Sequence, residues 1–226
     1  MPVAIARYKT WPGFFDWTPF ALVRPALPAE QLEALRECVL SSPYLAANNL
    51  NHRFSGTRGF SVVFTAEGRA RVAREFPLFD QYLSQILHPR CNAFFLNPLV
   101  VVGGSRVAPH VDRSLRSYTR PAEPPNPVRV VVLYLQVPEK LTGGHLILHS
   151  NRPLVDIEPE VNKMVFFRGD LRHEVTELEA QEGQERVSLV CEQYRLPPAL
   201  LESIPSFEIR SKRPFEDFLQ AELDRT

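Results

Sequence analysis

Residues 128–149 read VRVVVLYLQVPEKLTGGHLILH. Val128 to Val137 is a short apolar run, Pro138 and Gly143-Gly144 interrupt it, and His145 to His149 then alternates as a strand does. Similar runs lie on both sides: Phe94 to Val102 and Arg106 to Val111 upstream, then Leu154 to Ile157, Lys163 to Phe167, His173 to Leu178 and Glu185 to Tyr194 downstream. Short strands in this number, separated by Gly, Pro and Asn turns, predict a mainly β sandwich or jelly-roll barrel over residues 92–196.

The flanks read differently. Pro28 to Ser41 predicts a helix, with Leu32, Leu35, Cys38 and Val39 at helical spacing. A second helical stretch covers residues 66–87, is interrupted at Pro77, and carries Phe79, Tyr82, Leu83 and Ile86 on one stripe. Between them a polar loop precedes the strand-like Ser61 to Phe64. Residues 1–91 are thus expected to give helical support, and residues 197–226 a helical tail with Phe215, Phe218, Leu219 and Leu223 as its apolar stripe. One domain is the economical reading of 226 residues, and the 21 scattered prolines punctuate short elements instead of building a low-complexity tract.

Composition narrows the function classes. With 44% hydrophobic and 23% charged residues the chain is globular, not wholly disordered. Lys and Arg balance Asp and Glu at 26 each, so no global field favours nucleic acid or an anionic membrane. Cys38, Cys91 and Cys191 are odd in number and far apart, which speaks against a disulfide scaffold or zinc knuckle and for a reducing compartment. No apolar run suits a signal peptide or a membrane span, so the expected location is cytoplasmic.

The charge is unevenly placed. Residues 105–129 hold five arginines against Asp112 and Glu123, whereas residues 170–192 hold seven acids against Arg172 and Arg186. Within the basic stretch, His110 and Asp112 are two apart at the end of a predicted strand and so point to the same side. His173 is a third candidate ligand, although alone it reads more readily as a satisfied core histidine. Two histidines and one carboxylate on one face of an octahedral Fe(II) leave three positions open, enough for a chelating 2-oxo acid and dioxygen. Arg186 and Ser188, two apart on one strand face, offer a fork donor and a hydroxyl to the distal carboxylate of such an acid. The competing reading of Arg186 is a surface ion pair with Glu185 or Glu182.

Taken together, these residues resemble the Fe(II)/2-oxoglutarate-dependent dioxygenases, in particular the prolyl 4-hydroxylase-like branch. Further support comes from Arg129 to Gln136 with its Tyr134-Leu135, from Gly143-Gly144-His145-Leu146, and from His173-Glu174-Val175. The resemblance covers residues 94–194 and departs in two places: the collagen-type members carry Lys where Arg186 stands, and the branch usually has Glu where His145 stands. It implies a double-stranded β-helix in which His110, Asp112 and His173 bind Fe(II), and Arg186 with Ser188 holds 2-oxoglutarate. Dioxygen is the second co-substrate, succinate and carbon dioxide are released, and an unactivated C–H bond is hydroxylated. The substrate classes implied are an amino acid, a small peptide or a peptidyl side chain.

Other roles stay open in the sequence. Tyr134 either bonds the co-substrate or fills the barrel, and Asn97 either reaches the co-substrate carboxylate or caps a turn before Pro98. Residues 113–127 are either a solvated loop or a lid in which Arg113, Arg116 or Arg120 grips a substrate carboxylate. His145 and His149 suit a strand better than a second metal site, and His52 and His88 read as loop residues. Two rival functions remain: a nucleic-acid demethylase using Arg53, Arg58 and Phe60, and a non-catalytic jelly-roll binding module. Oligomeric state is not fixed by the sequence.

Overall fold

A computed structural model describes residues 18–47, 57–119, 122, 124–151, 153–181 and 183–211. In chain order the elements begin with β1 (Phe20–Val23), α1 (Ala29–Leu40), β2 (Ala46–Ala47), β3 (Thr57–Gly59), β4 (Ser61–Thr65), α2 (Arg69–Glu75) and α3 (Pro77–Ile86). The barrel strands follow as β5 (Ala93–Val102), β6 (Val107–His110), β7 (Arg129–Gln136), β8 (Thr142–Gly143), β9 (Leu146–His149) and β10 (Pro153–Ile157), with the short α4 (Arg116–Thr119) between β6 and β7. The chain continues through β11 (Met164–Arg168), β12 (Arg172–Val175), β13 (Leu178–Glu179), β14 (Glu185–Tyr194), α5 (Pro198–Leu201) and β15 (Phe207–Arg210).

A nine-stranded sheet has the order β1-β11-β7-β14-β5-β3-β2, with β4 on β5 and β15 on β4; opposite it stands the sheet β10-β9-β12-β6, beside a β8–β13 ribbon. The ladders are antiparallel, and the two sheets make the expected jelly roll. Period-two alternation then decides what each side chain of the major sheet meets. On β7, Val131, Leu133 and Leu135 pack into the core shared with the helices, while Val130, Val132 and Tyr134 face the second sheet. Both faces of β7 are therefore covered, which is why residues 129–136 read as one apolar run.

The helices follow their predicted stripes. Leu32, Leu35 and Val39 of α1 and Phe79, Leu83 and Ile86 of α3 join Val187, Leu189 and Cys191 of β14 in that same core. Pro77 ends α2 and opens α3, as a residue without an N–H is suited to do at a first helical turn. Pro98, also without an N–H, falls where β5 changes partner from β4 to β3 and leaves the ladder to β14 unbroken.

Two expectations need correction. The first ninety residues give more than helical support, because β1, β2, β3 and β4 all join the major sheet. β1 is four residues long, and its partner β11 lies far along the chain, Phe20 opposite Phe167 and Val23 opposite Met164. The tail does not simply return to helix: α5 is a single turn, and β15 then pairs with β4, Phe207 opposite Phe64. The stripe of Phe215, Phe218, Leu219 and Leu223 lies outside the described residues. No described helix is long and apolar enough to cross a membrane.

Candidate active site

The two sheets enclose a cavity of about 720 Å³, a size usual for ligand pockets. Its walls are the inward positions of the strands already described, so the alternation that buries Val187, Leu189 and Cys191 turns Arg186, Ser188, Val190 and Glu192 into the cavity. On β5 the same rule turns Phe95, Asn97 and Leu99 inward.

At one end of the cavity His110, Asp112 and His173 meet, their ligand atoms all within 4.8 Å of one another. The ladder between β6 and β12 sets His110 directly opposite His173, with ring centroids 4.3 Å apart. Each imidazole is oriented from behind: Nδ1 of His110 lies 2.9 Å from the Ala108 carbonyl and Nδ1 of His173 lies 3.2 Å from the Leu171 carbonyl. A carbonyl can only accept, so both Nδ1 atoms carry protons and both Nε2 atoms are aimed inward. Nε2 of His110 stands 3.1 Å from Oδ1 of Asp112, and Nε2 of His173 stands 3.4 Å from Oδ2. Oδ2 of Asp112 is buried with no hydrogen-bond partner.

The electrostatics suit a cation. Burial works against the Asp112 charge, but the His173 and His110 imidazoles outweigh it and hold the carboxyl below its usual range. Burial prevails at His173 and lowers its pKa despite Asp112, leaving a neutral ring that can ligate. At His110 burial is outweighed by the Asp112 hydrogen bond and charge, and its pKa rises. Two fixed imidazoles and an orphaned carboxylate oxygen fit a divalent transition metal with open positions.

Arg186 lies elsewhere on the same cavity wall and is 3% exposed. Its Nη1 donates to the Gly144 carbonyl at 2.6 Å and its guanidinium lies 5.6 Å from the Tyr134 ring centroid, but Nε has no partner. Among the described residues the surface ion pair considered from sequence is not formed, because Glu185 pairs with Arg58 at 2.5 Å; Glu182 lies outside the described residues. Burial depresses the Arg186 pKa, the Tyr134 contribution opposing it. Ser188 is 2% exposed and stands opposite Tyr134 in the ladder. Asn97 lines the cavity too, but its amide nitrogen is placed to donate to the carbonyls of Phe60 (2.8 Å) and Pro98 (3.2 Å).

The Gly143-Gly144 turn supplies the carbonyl that Arg186 meets. Gly143 has φ +72°, and a Cβ there would lie 1.9 Å from the Glu177 carbonyl oxygen. Gly143→Ala is therefore expected to lower stability by about 1–3 kcal/mol in urea denaturation and to displace the Gly144 carbonyl that Arg186 meets.

Arg113 and Arg116 line the cavity mouth, and Nε of Arg113 donates to Asn126 at 3.0 Å; Arg120 lies outside the described residues. The loop is tied at several points. Arg210 of β15 donates to Ser117 at 3.1 Å, and Tyr118 donates to Glu208 at 2.8 Å. His145 pairs with Asp156 at 2.7 Å and His149 with Glu174 at 2.8 Å, and neither joins a three-residue metal cluster among the described residues. Phe60 is buried in the core and Arg58 is engaged by Glu185, so neither forms the stacking face weighed for nucleic acid; Arg53 and His52 lie outside the described residues.

Sequence reading missed Glu192. It is 3% exposed, lines the cavity, and is pushed up to about 8 by burial and by the Asp112 charge. The signal was present, since Glu192 is an even number of residues from Arg186 on one strand.

Residues 97–191 match the family model described as the 2OG-Fe(II) oxygenase superfamily. No curated protein sequence matches the chain. Among solved structures, a Pseudomonas putida prolyl-4-hydroxylase superposes with TM-score 0.53 at 20% identity, covering 79% of this chain and 94% of that one. A Trichoplax adhaerens prolyl hydroxylase, in complex with a hypoxia inducible factor peptide fragment, gives 0.52 at 16%, covering 80% and 85%. A 2OG-Fe(II) oxygenase family oxidoreductase from Burkholderia pseudomallei gives 0.52 at 16%, covering 78% and 84%. These likenesses establish the jelly-roll fold, and residues 97–191, the stretch that holds His110, Asp112, His173, Arg186 and Ser188, are similar to the 2OG-Fe(II) oxygenase superfamily.

Proposed function

We propose that the chain hydroxylates an unactivated C–H bond of an amino acid, a small peptide or a peptidyl side chain. The observation that carries this reading is one cavity holding both the converged His110, Asp112 and His173 and the buried Arg186. The overall change is R–H plus dioxygen plus 2-oxoglutarate to R–OH plus succinate plus carbon dioxide. Fe(II), when bound, supplies the activation of dioxygen coupled to that decarboxylation.

The protein's own work is placement. His110 and His173 aim Nε2 at the site because the Ala108 and Leu171 carbonyls hold their Nδ1 protons, and burial keeps the His173 ring neutral. Asp112 supplies the anionic oxygen. Arg186 and Ser188 receive the distal carboxylate of 2-oxoglutarate, and Tyr134 backs the Arg186 guanidinium with its ring face. Val130, Val132, Leu146 and Phe167 make the wall between these groups apolar and limit water at the reacting carbon.

Arg113 and Arg116 would grip a carboxylate of the substrate at the mouth. Each Ala variant should raise the substrate KM about tenfold, as expected when a charged hydrogen bond of about 1.5 kcal/mol is lost, while substrate-free 2-oxoglutarate turnover stays within about twofold. Equal loss of both activities would count against that role. The first test of the function is Fe(II)-dependent succinate release by the purified chain, followed by a screen of amino acids and short peptides for products gaining one oxygen. A binding module without chemistry would release no succinate. The free Cys38, Cys91 and Cys191 support a reducing, cytoplasmic setting.

A further inference from the structure

His110 and His173 are held by a β ladder, each opposite the other. Asp112 is not. It lies in the irregular stretch between β6 and α4, so its carboxylate needs some other support to stand where the imidazoles converge. That stretch touches the cavity wall two residues later. The Ser114 hydroxyl donates to Oε1 of Glu192 at 2.5 Å, and the Ser114 backbone N–H donates to Oε2 at 3.2 Å. The Tyr194 hydroxyl donates to the same Oε2 and fixes the carboxylate from its own strand.

We propose that Glu192 is a positioning residue for the metal: by holding Ser114 through two hydrogen bonds, it sets the loop so that Asp112 faces His110 and His173. This rests on the reading of those three residues as the metal ligands. A buried carboxylate is unfavourable unless its lone pairs are met, and an apolar side chain would fill the site with less difficulty. Here three donors meet it, and two of them come from the backbone and side chain of one residue, the geometry of a latch. Glu192 also belongs to β14, the strand that carries Arg186 and Ser188, so one rigid element sets both the proposed co-substrate anchor and the ligand loop.

The test uses the full chain with Mn(II) as the metal probe, its dissociation constant read by calorimetry beside thermal melting. Glu192→Ala and Ser114→Ala should each weaken Mn(II) binding about tenfold or more, the range found when an outer partner of a metal ligand is removed. The double variant should be no weaker than Glu192→Ala alone by more than about twofold, because both act through one contact. A loss below about tenfold in either single variant, or a double loss equal to the product of the two, overturns the proposal. If Glu192→Ala does not fold, Glu192→Leu, which keeps volume and lacks an acceptor, takes its place; if neither folds, Ser114→Ala decides by the tenfold criterion. Asp112→Ala binding Mn(II) as tightly as the wild type would instead remove the ligand assignment on which this rests.

Discussion

Arg186→Gln is expected to raise the dissociation constant for 2-oxoglutarate at least about thirtyfold, since losing one partner of a buried charge pair costs about 2 kcal/mol or more. The same change should not destabilise the protein without co-substrate. Among the described residues, buried Arg186 meets the Gly144 carbonyl and the Tyr134 ring and leaves Nε without a partner. A guanidinium held this way is unfavourable for folding until an anion arrives. Thermal melting without 2-oxoglutarate should therefore be equal or higher in Arg186→Gln, and the large stabilisation that 2-oxoglutarate gives the wild type should disappear. Arg186→Lys keeps the charge but loses the fork, and its affinity should fall between the two. A variant that melts far lower without co-substrate, yet binds 2-oxoglutarate normally, would mark Arg186 as a purely structural residue.

The second large effect is expected at the metal. His110→Ala and His173→Ala should each bring Fe(II)-dependent succinate release below about 1% of wild type, a loss of at least about 2.7 kcal/mol in activation free energy. Folding should survive, because His110 lies at the end of β6 and the core of β7, β11 and β14 does not depend on either ring. Of the two, His173→Ala should be the less stable, since Phe167 packs edge-on against its ring at 5.0 Å. Metal-dependent turnover that persists in either variant would remove that residue from the ligand set.

Much of this was legible in the sequence, and the reasons are local. The alternation along β5 and β14, and the double-faced apolar run of β7, mark strands whatever their partners are. The spacing of His110 and Asp112 puts both near one point because β6 ends there. Arg186 and Ser188 share a face by the same period, and that period also contained Glu192, which was passed over because no ligand role suggested it. What stayed hidden depends on remote pairing. β1 is recognisable only once β11 is beside it, and β15 only once β4 is, because four residues carry too little pattern to outweigh the prolines around them. The loop of residues 113–119 read as a polar linker. Its attachments to Glu192, Glu208 and Arg210 join residues 78 to 93 positions apart, a separation that no local signal spans.

The central claim is that one cavity joins a metal held by His110, Asp112 and His173 to a 2-oxoglutarate held by Arg186. Anaerobic calorimetry of Fe(II) and 2-oxoglutarate, in both orders of addition, tests it most directly. One Fe(II) per chain is predicted, with 2-oxoglutarate binding tighter when the metal is present, and with that coupling lost in Asp112→Ala and in Arg186→Gln. Fe(II) and 2-oxoglutarate binding independently, or a coupling that is unchanged in both variants, would contradict the account.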